Sequence, residues 1–242
     1  MTSDREIAVF MANIYYEIDQ TEEFINCIKE VIRINPILSK KERNLFSNGY
    51  RKALKPLFIA IRIIDFEIKN NDNINPLYLK YLKNYKSQLL NKLENLVKES
   101  VGLIDFNILP LISDNESIIF YEKMKASMYC YLVYSIPKEE STEYICKCKQ
   151  SFEKSFDIAK INLSPKNDLY LHLIHKYTIF LYEKLEHKNE AIDLGSKAVK
   201  ECFAAMNEED EEIGCIQNDL TVLMIDDNVK IWKKEMTNSN EE

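Results

Sequence analysis

The spacing of hydrophobic residues along the chain predicts a series of α-helices separated by short polar breaks. In residues 5–34, apolar residues recur every three or four positions, as they do on one face of a helix. Clusters of proline, asparagine and serine mark the later breaks. We therefore predict about nine antiparallel helices, over residues 5–18, 21–34, 39–70, 75–106, 115–134, 140–161, 167–185, 189–205 and 210–233.

The third predicted helix begins with a capping sequence. Ser39 can accept a hydrogen bond from the first turn, and Glu42, three residues later, can reach back to the Ser39 amide. Pro56 lies inside this helix, where it removes one backbone hydrogen bond, so we expect a bend. The fourth helix begins at Asn75 and Pro76, since asparagine caps helices well and proline suits their first position.

The composition favours one all-α domain with an acidic end. Four glycines and six prolines in 242 residues are too few for a β-rich or low-complexity protein. The net charge is −7, and eleven acidic residues against three lysines lie from residue 207 onward. We therefore expect a domain over residues 1–234, a short acidic flexible tail over 235–242, and no general binding of nucleic acid. The chain shows no signal sequence and no long apolar run, so we expect a cytoplasmic protein without membrane contact.

No arrangement of reactive side chains indicates an enzyme. The histidines at 172 and 175 have a spacing that can chelate a metal, but no further His or Cys accompanies them. Cys130 has no histidine partner, so a buried thiol is the favoured interpretation. The six cysteines include no C-x-x-C pair, which is typical of reduced thiols inside a cell. We expect no catalysis, no metal and no cofactor.

One face of the third predicted helix is unusually basic. Arg51, Lys55, Phe58 and Arg62 lie within a stripe of roughly 60°, a composition unlike that of a helix face made only for a core. Other helices carry mixed polar stripes, each of which by itself also fits a solvated face: Lys123, Ser127, Tyr131 and Tyr134; His172, Lys176, Ile179 and Glu183; Ile225, Asn228 and Trp232.

Four segments resemble a known family. Residues 43–51, R-N-L-F-S-N-G-Y-R, are similar to the first signature of the 14-3-3 family, R-N-L-L-S-V-A-Y-K. Residues 120–132 resemble its F-Y-L-K-M-K-G-D-Y-Y-R-Y-L, residues 182–183 its Y-E, and residues 227–232 its D-N-L-T-L-W. The order and nearly the spacing of these segments are kept over residues 5–234. The chain is thus identified as a divergent, atypical member.

The resemblance implies both an architecture and a function. It implies a cup-shaped protomer whose concave groove, lined by the polar stripes, holds an extended phosphopeptide. It also implies a non-enzymatic adaptor that binds phosphoserine or phosphothreonine segments of partner proteins and forms a homodimer through its N-terminal helices. In the family an arginine–glutamate pair joins the protomers, and Gln20 and Lys92 occupy these positions here. The apolar residues Ile7, Phe10, Met11 and Ile14 still need cover, so we expect a dimer.

The resemblance places an altered phosphate pocket in this chain. Arg51 stands where the family has a lysine, and Phe58 where it has an arginine. The family's Arg-Tyr pair on the fifth helix is Cys130-Tyr131 here. Two of three phosphate-binding cations are therefore replaced by uncharged residues. Because a hydrogen bond to a charged group contributes about 1.5–3 kcal/mol, the loss is roughly 3–6 kcal/mol, or about a hundred- to ten-thousand-fold in affinity. Lys55 can compensate in part, so we expect a weakened or rearranged pocket.

The remaining groove positions are mostly kept. By the resemblance, Lys176 replaces an asparagine that holds the peptide backbone, and Asn228 is the second such asparagine. The retained positions are Arg62, Phe120, Lys123, Glu183 and Trp232. The alternative function is a phosphate-independent scaffold for acidic or hydrophobic peptides, using an apolar wall of Ile179, Ile225 and Trp232 together with the remaining cations.

Overall fold

The computed structural model describes residues 3–71, 74–206 and 216–238. These residues form nine α-helices and no strand, which confirms the all-α prediction. The helices are α1 (Asp4–Glu17), α2 (Thr21–Ile34), α3 (Lys40–Asn70), α4 (Pro76–Gly102), α5 (Asn115–Val133), α6 (Thr142–Asn162), α7 (Asp168–Glu183), α8 (Lys188–Met206) and α9 (Ile216–Asn238). A π-helical turn (Leu103–Ile108) and a 3-10 turn (Leu109–Leu111) follow α4. None of the helices in the described ranges has the length and apolar character that a membrane span requires.

The predicted start signals form hydrogen bonds in the structure. At α3 the Glu42 amide donates to the Ser39 hydroxyl at 3.4 Å, and the Ser39 amide donates to the Glu42 carboxylate at 2.8 Å. The Leu77 amide donates to the side-chain oxygen of Asn75 at 2.8 Å. Helix α3 continues without interruption past Pro56, and the bend expected there stays a prediction.

The first of two compact units comprises Met1–Ser113 and Met124–Cys148. Helices α1 and α2 pack together, as do α3 and α4. A methyl group on Gly49 would lie 1.9 Å from ring atoms of Phe24, so the absence of a side chain at this position lets α2 and α3 approach. The Tyr50 hydroxyl donates to Glu99 at 2.7 Å, and Lys29 lies 3.0 Å from the same carboxylate. This network joins α2, α3 and α4 within the unit.

The second compact unit comprises Asp114–Lys123 and Lys149–Glu242. Helix α7 packs against both α8 and α9. A methyl group on Gly195 would lie 2.7 Å from a methyl carbon of Val229, which shows how closely α8 and α9 approach. Helix α9 reaches Asn238, inside the segment predicted as a tail, and residues 239–242 lie outside the described ones. The single domain over residues 1–234 stays a prediction.

Candidate peptide-binding surfaces

Phe58 and Tyr131 are in contact in the first unit, and Arg51 acts electrostatically on Tyr131. The ring of Phe58 meets the ring of Tyr131 edge-on, with centroids 5.6 Å apart. Burial raises the pKa of Tyr131, while the nearby Arg51 guanidinium lowers it, so the cation lies close enough to act on the phenol. Arg51 is exposed and donates to the side-chain oxygen of Asn48 at 3.1 Å. The structure thus places a solvent-facing guanidinium within electrostatic range of a tyrosine that packs against Phe58.

Phe58 contributes an apolar surface where the resemblance expects an arginine. Its side chain is half-buried, since the ring rests against Tyr131 and leaves part of its area to solvent. An edge-to-face pair contributes about 0.5–1.5 kcal/mol beyond the burial of its area. Phe58 therefore stabilises the position of Tyr131 but offers no hydrogen-bond donor to an anion. Sequence spacing alone did not reveal this contact between α3 and α5.

Two further cations of the predicted stripe remain open to solvent. Lys55 and Arg62 are exposed on α3, and neither forms an ion pair with any residue that the structure describes. Together with Arg51 they place three exposed positive charges along one helix. Exposed cations without a carboxylate partner are available to an anionic ligand. Water and salt weaken the attraction that each of them exerts by itself.

Cys130 lies beside a second cysteine of the same unit. Its sulfur is 3.5 Å from the sulfur of Cys148 on α6, and the Cys148 thiol donates to the Ala126 carbonyl at 3.4 Å. Cys148 is fully buried, whereas Cys130 is partly exposed, so the expectation of a buried Cys130 was wrong. Burial raises the pKa of the Cys148 thiol. Cys146, two residues earlier on α6, is exposed.

In the second unit Trp232 is fixed by an aromatic stack. Its rings lie 4.4 Å from the ring of Tyr182 with an interplanar angle of 10°. The Tyr182 hydroxyl donates to Glu235 at 2.7 Å, and burial together with this bond raises the pKa of Tyr182 to about 12. Trp232 is only 7% exposed. The tryptophan therefore joins α7 to α9, and little of its surface can contact a peptide.

The other predicted positions of the second unit differ in exposure. Lys176 and Glu183 are exposed on α7, and Asn228 is half-buried on α9. Lys123 on α5 has its ammonium group 6.0 Å from the centre of the Phe120 ring. These side chains present polar groups on three helices of the unit, and the roles that the resemblance implies for them stay predictions.

One of the three residues predicted to form the apolar wall of the alternative function, Ile225, is not accessible to a peptide. Ile225 is fully buried, and its methyl carbon lies 3.4 Å from the position that a side-chain carbon on Gly195 would take. It therefore packs against α8 and cannot contact a peptide, contrary to the sequence-based expectation. Ile179 is half-buried, and Trp232 is nearly covered.

Within the described ranges, the histidines at 172 and 175 have no further metal ligands around them. The Nδ1 atom of His172 lies 2.8 Å from the Asp168 carbonyl oxygen. Burial, helped by Lys176 and His172, lowers the pKa of His175 to about 4. Among the residues described, no three or more His, Cys, Asp or Glu side chains form a group that could hold a metal ion.

Comparison with known proteins identifies the family. A family model described as 14-3-3 protein matches residues 11–233. The chain belongs to the 14-3-3 family. It is 27% identical over 236 residues to the 14-3-3-like protein GF14 iota of Arabidopsis thaliana, covering 96% of this chain and 87% of that relative. It is 29% identical to 14-3-3 protein 5 of Solanum lycopersicum (98% of this chain, 93% of the relative) and 26% identical to 14-3-3 protein 3 of Entamoeba histolytica (97% and 98%).

Membership of the family confirms the general expectations from the sequence. Proteins of the 14-3-3 family are non-enzymatic adaptors that bind phosphorylated segments of partner proteins and form dimers. By the resemblance, Arg51, Phe58 and Cys130 replace phosphate-binding residues of the family, and this assignment stays a prediction. The structure gives each of these side chains a specific neighbour.

Proposed function

We propose that this chain binds phosphorylated peptide segments with a rearranged anion site, in which Arg51 is the principal cation. The observation that carries the proposal is the exposed Arg51 guanidinium, which lies within electrostatic range of Tyr131 and lowers the pKa of its phenol. A guanidinium can hold two phosphate oxygens, and a phenol can donate one further hydrogen bond. Phe58 supplies an apolar surface next to these groups.

The anion site is weaker than one built from three cations. Phe58 and Cys130 provide no charge, so the phosphate meets one guanidinium directly. Lys55 and Arg62 add long-range attraction, because both are exposed and neither is neutralised by a carboxylate of the described chain. We expect a preference for the phosphorylated peptide that is real but modest, and that falls steeply as salt is raised.

For the second unit we propose contacts with the peptide rather than with the phosphate. Following the family resemblance, the Asn228 amide pairs with peptide backbone groups, which every sequence offers. Lys176 and Glu183 are exposed, and we propose that they select the charge of the residues flanking the phosphate. Replacing Asn228 by alanine should therefore lower the affinity for phosphorylated and unphosphorylated peptides by the same factor.

The decisive experiment compares one peptide with and without phosphate on its serine. Isothermal titration of the wild type should show tighter binding of the phosphorylated form, and Arg51→Glu should abolish that difference, since a carboxylate repels the phosphate. The matched control is Lys41→Glu, which makes the same charge change at an exposed position on another side of α3. Equal binding of both peptides by the wild type would instead favour the phosphate-independent scaffold.

We further propose that the chain dimerises through an apolar face on its first unit. The side chains of Ile7, Phe10 and Ile14 on α1, and of Ile18 at its C-cap, are between 40% and 64% exposed. Large exposed apolar residues continue on α3 (Ile59, Ile63, Phe66) and α4 (Leu77, Tyr78, Tyr81, Tyr85). Many large apolar side chains exposed on three helices of one unit suggest an interaction surface, and a second copy of the chain is the occupant expected from the family. The cytoplasm is the location we expect for this adaptor.

A further inference from the structure

We propose that Cys130 and Cys148 form a dithiol modification site, which hydroperoxides oxidise to an intramolecular disulfide next to the Arg51–Tyr131 anion site. The two sulfurs belong to neighbouring helices of the same unit and are 3.5 Å apart. The chemistry of the pair stands on its own geometry, whereas its effect on peptide binding rests on the proposed function.

The geometry requires only a small movement. A disulfide bond is about 2.05 Å long, so the sulfurs must approach by roughly 1.5 Å, within the range of a side-chain rotation. The Cys148 thiol is held in place by its hydrogen bond to the Ala126 carbonyl. Cys146 provides a contrast, since it is exposed on another side of α6 although only Lys147 separates it from Cys148.

The two thiols differ in access, and this difference assigns their roles. Cys130 is partly exposed, so a hydroperoxide can reach it from solvent. Cys148 is fully buried, so an oxidant in the solvent does not reach its sulfur directly. Cys130 is therefore the thiol that is oxidised first, and Cys148 is the thiol that resolves the product.

Both steps balance with one hydroperoxide. The Cys130 sulfur attacks an oxygen of the peroxide, the O–O bond breaks, and Cys130 becomes a sulfenic acid while water or an alcohol leaves with the thiol proton. The Cys148 sulfur then attacks the sulfenic sulfur, the S–O bond breaks, and the hydroxide leaves as water with the Cys148 proton. The two thiols lose two electrons and the peroxide gains them.

The pair protects the anion site from a permanent negative charge. Cys130 immediately precedes Tyr131, whose phenol lies within electrostatic range of Arg51. A sulfenic acid without a resolving thiol reacts with more peroxide and becomes an anionic sulfinic acid, which is not readily reversed. Such an anion would compete with phosphate for Arg51. A disulfide is neutral and reducible, so the contact with Cys148 keeps the damage reversible.

Mass spectrometry of the full chain tests the chemistry. The protein is treated with hydrogen peroxide, its remaining thiols are alkylated, and it is cleaved after lysine and arginine; cleavage after Lys147 separates Cys146 from Cys148. We expect a peptide pair joined through Cys130 and Cys148 that a dithiol reductant releases. The joined pair should vanish in Cys130→Ser and in Cys148→Ala and persist in Cys146→Ser. In Cys148→Ala, Cys130 should instead accumulate as sulfinic acid.

The outcomes separate this proposal from the proposed function. Peroxide that oxidises Cys146 while Cys130 and Cys148 both remain alkylated in the wild type would overturn the dithiol without any variant. Peptide titration follows on the same samples. Oxidation should lower the phosphopeptide affinity of Cys148→Ala at least tenfold. The oxidised wild type, once treated with a dithiol reductant, should bind the phosphopeptide with the affinity it had before oxidation. If the joined peptides form but no sample ever prefers the phosphopeptide, the dithiol stands and the proposed function fails.

Discussion

Restoring an arginine at position 58 should strengthen phosphopeptide binding. Phe58 is half-buried with part of its ring open to solvent, so a longer side chain can extend outward from the same position on α3. A new hydrogen bond to a charged group contributes about 1.5–3 kcal/mol, which predicts a gain of roughly ten- to a hundred-fold for the phosphorylated peptide. The unphosphorylated peptide should bind almost as before.

The substitution also has a cost in stability that the structure lets us estimate. It removes the edge-to-face contact with Tyr131, and such pairs contribute about 0.5–1.5 kcal/mol. Adding Cys130→Arg in a second step costs more, because it replaces a side chain that touches the buried Cys148. We therefore expect Phe58→Arg to fold well, and the double variant to show at least a tenfold gain with a lower melting temperature.

Fluorescence anisotropy of a labelled phosphoserine peptide, repeated with its unphosphorylated form, provides the assay. Phe58→Leu controls for loss of the ring, and Phe106→Arg adds the same charge at an 83% exposed site of the same unit. The gain should shrink between about 0.1 and 1 M salt, since the screening length falls from about 10 to 3 Å. Suppose the wild type already prefers the phosphopeptide by about a thousandfold and Phe58→Arg changes nothing. Other residues must then bind the phosphate, and our assignment of the residues that line the anion site is wrong.

Three further predictions concern packing, assembly and pH. Gly49→Ala should lower the free energy of unfolding in urea by about 1–3 kcal/mol, because the new methyl group overlaps the Phe24 ring, and Phe24→Leu should restore part of it. Phe10→Asp should convert a wild-type dimer to a monomer in sedimentation at tens of micromolar, whereas a monomeric wild type would refute the dimer. His175 is neutral in the fold, with its pKa lowered to about 4, while the unfolded chain takes up a proton below about pH 6.5. The resulting loss in the free energy of unfolding is absent at pH 7 and grows as pH falls from about 6.5 to about 4. His175→Gln should therefore reduce the loss of stability at acid pH by about 2 kcal/mol, after allowance for the partial exposure of the side chain.

Local signals in the sequence predicted the helices well. Ser39 and Glu42 define the start of α3 through interactions three residues apart, and Asn75 with Pro76 does the same for α4. Such caps depend only on neighbouring residues, so spacing is enough to reveal them. The break after α4 was less visible, because the π-helical turn at Leu103–Ile108 continues the helical apolar pattern with a different hydrogen-bond register.

Contacts between helices could not be predicted from spacing. Phe58 was recognised as an uncharged replacement, but its contact with Tyr131 depends on how α3 and α5 pack. The same holds for Cys130 and Cys148, which are brought together by the packing of α5 on α6. Ile225 shares a helical stripe with polar residues, yet the close approach of α8 and α9 buries it completely.

The stacked pair of Trp232 and Tyr182 gives the molecule its own optical reporter. Trp232 is the only tryptophan in the sequence, so all indole emission comes from one position in the second unit. Its 7% exposure predicts blue-shifted emission in the folded chain, and the ring of Tyr182 at 4.4 Å provides a local chromophore that excites it efficiently. Red-shifted emission then records the separation of α7 from α9, while the first unit contributes tyrosine signal alone. Unfolding followed by tyrosine emission and by tryptophan emission can therefore show whether the two units lose their structure together or in turn.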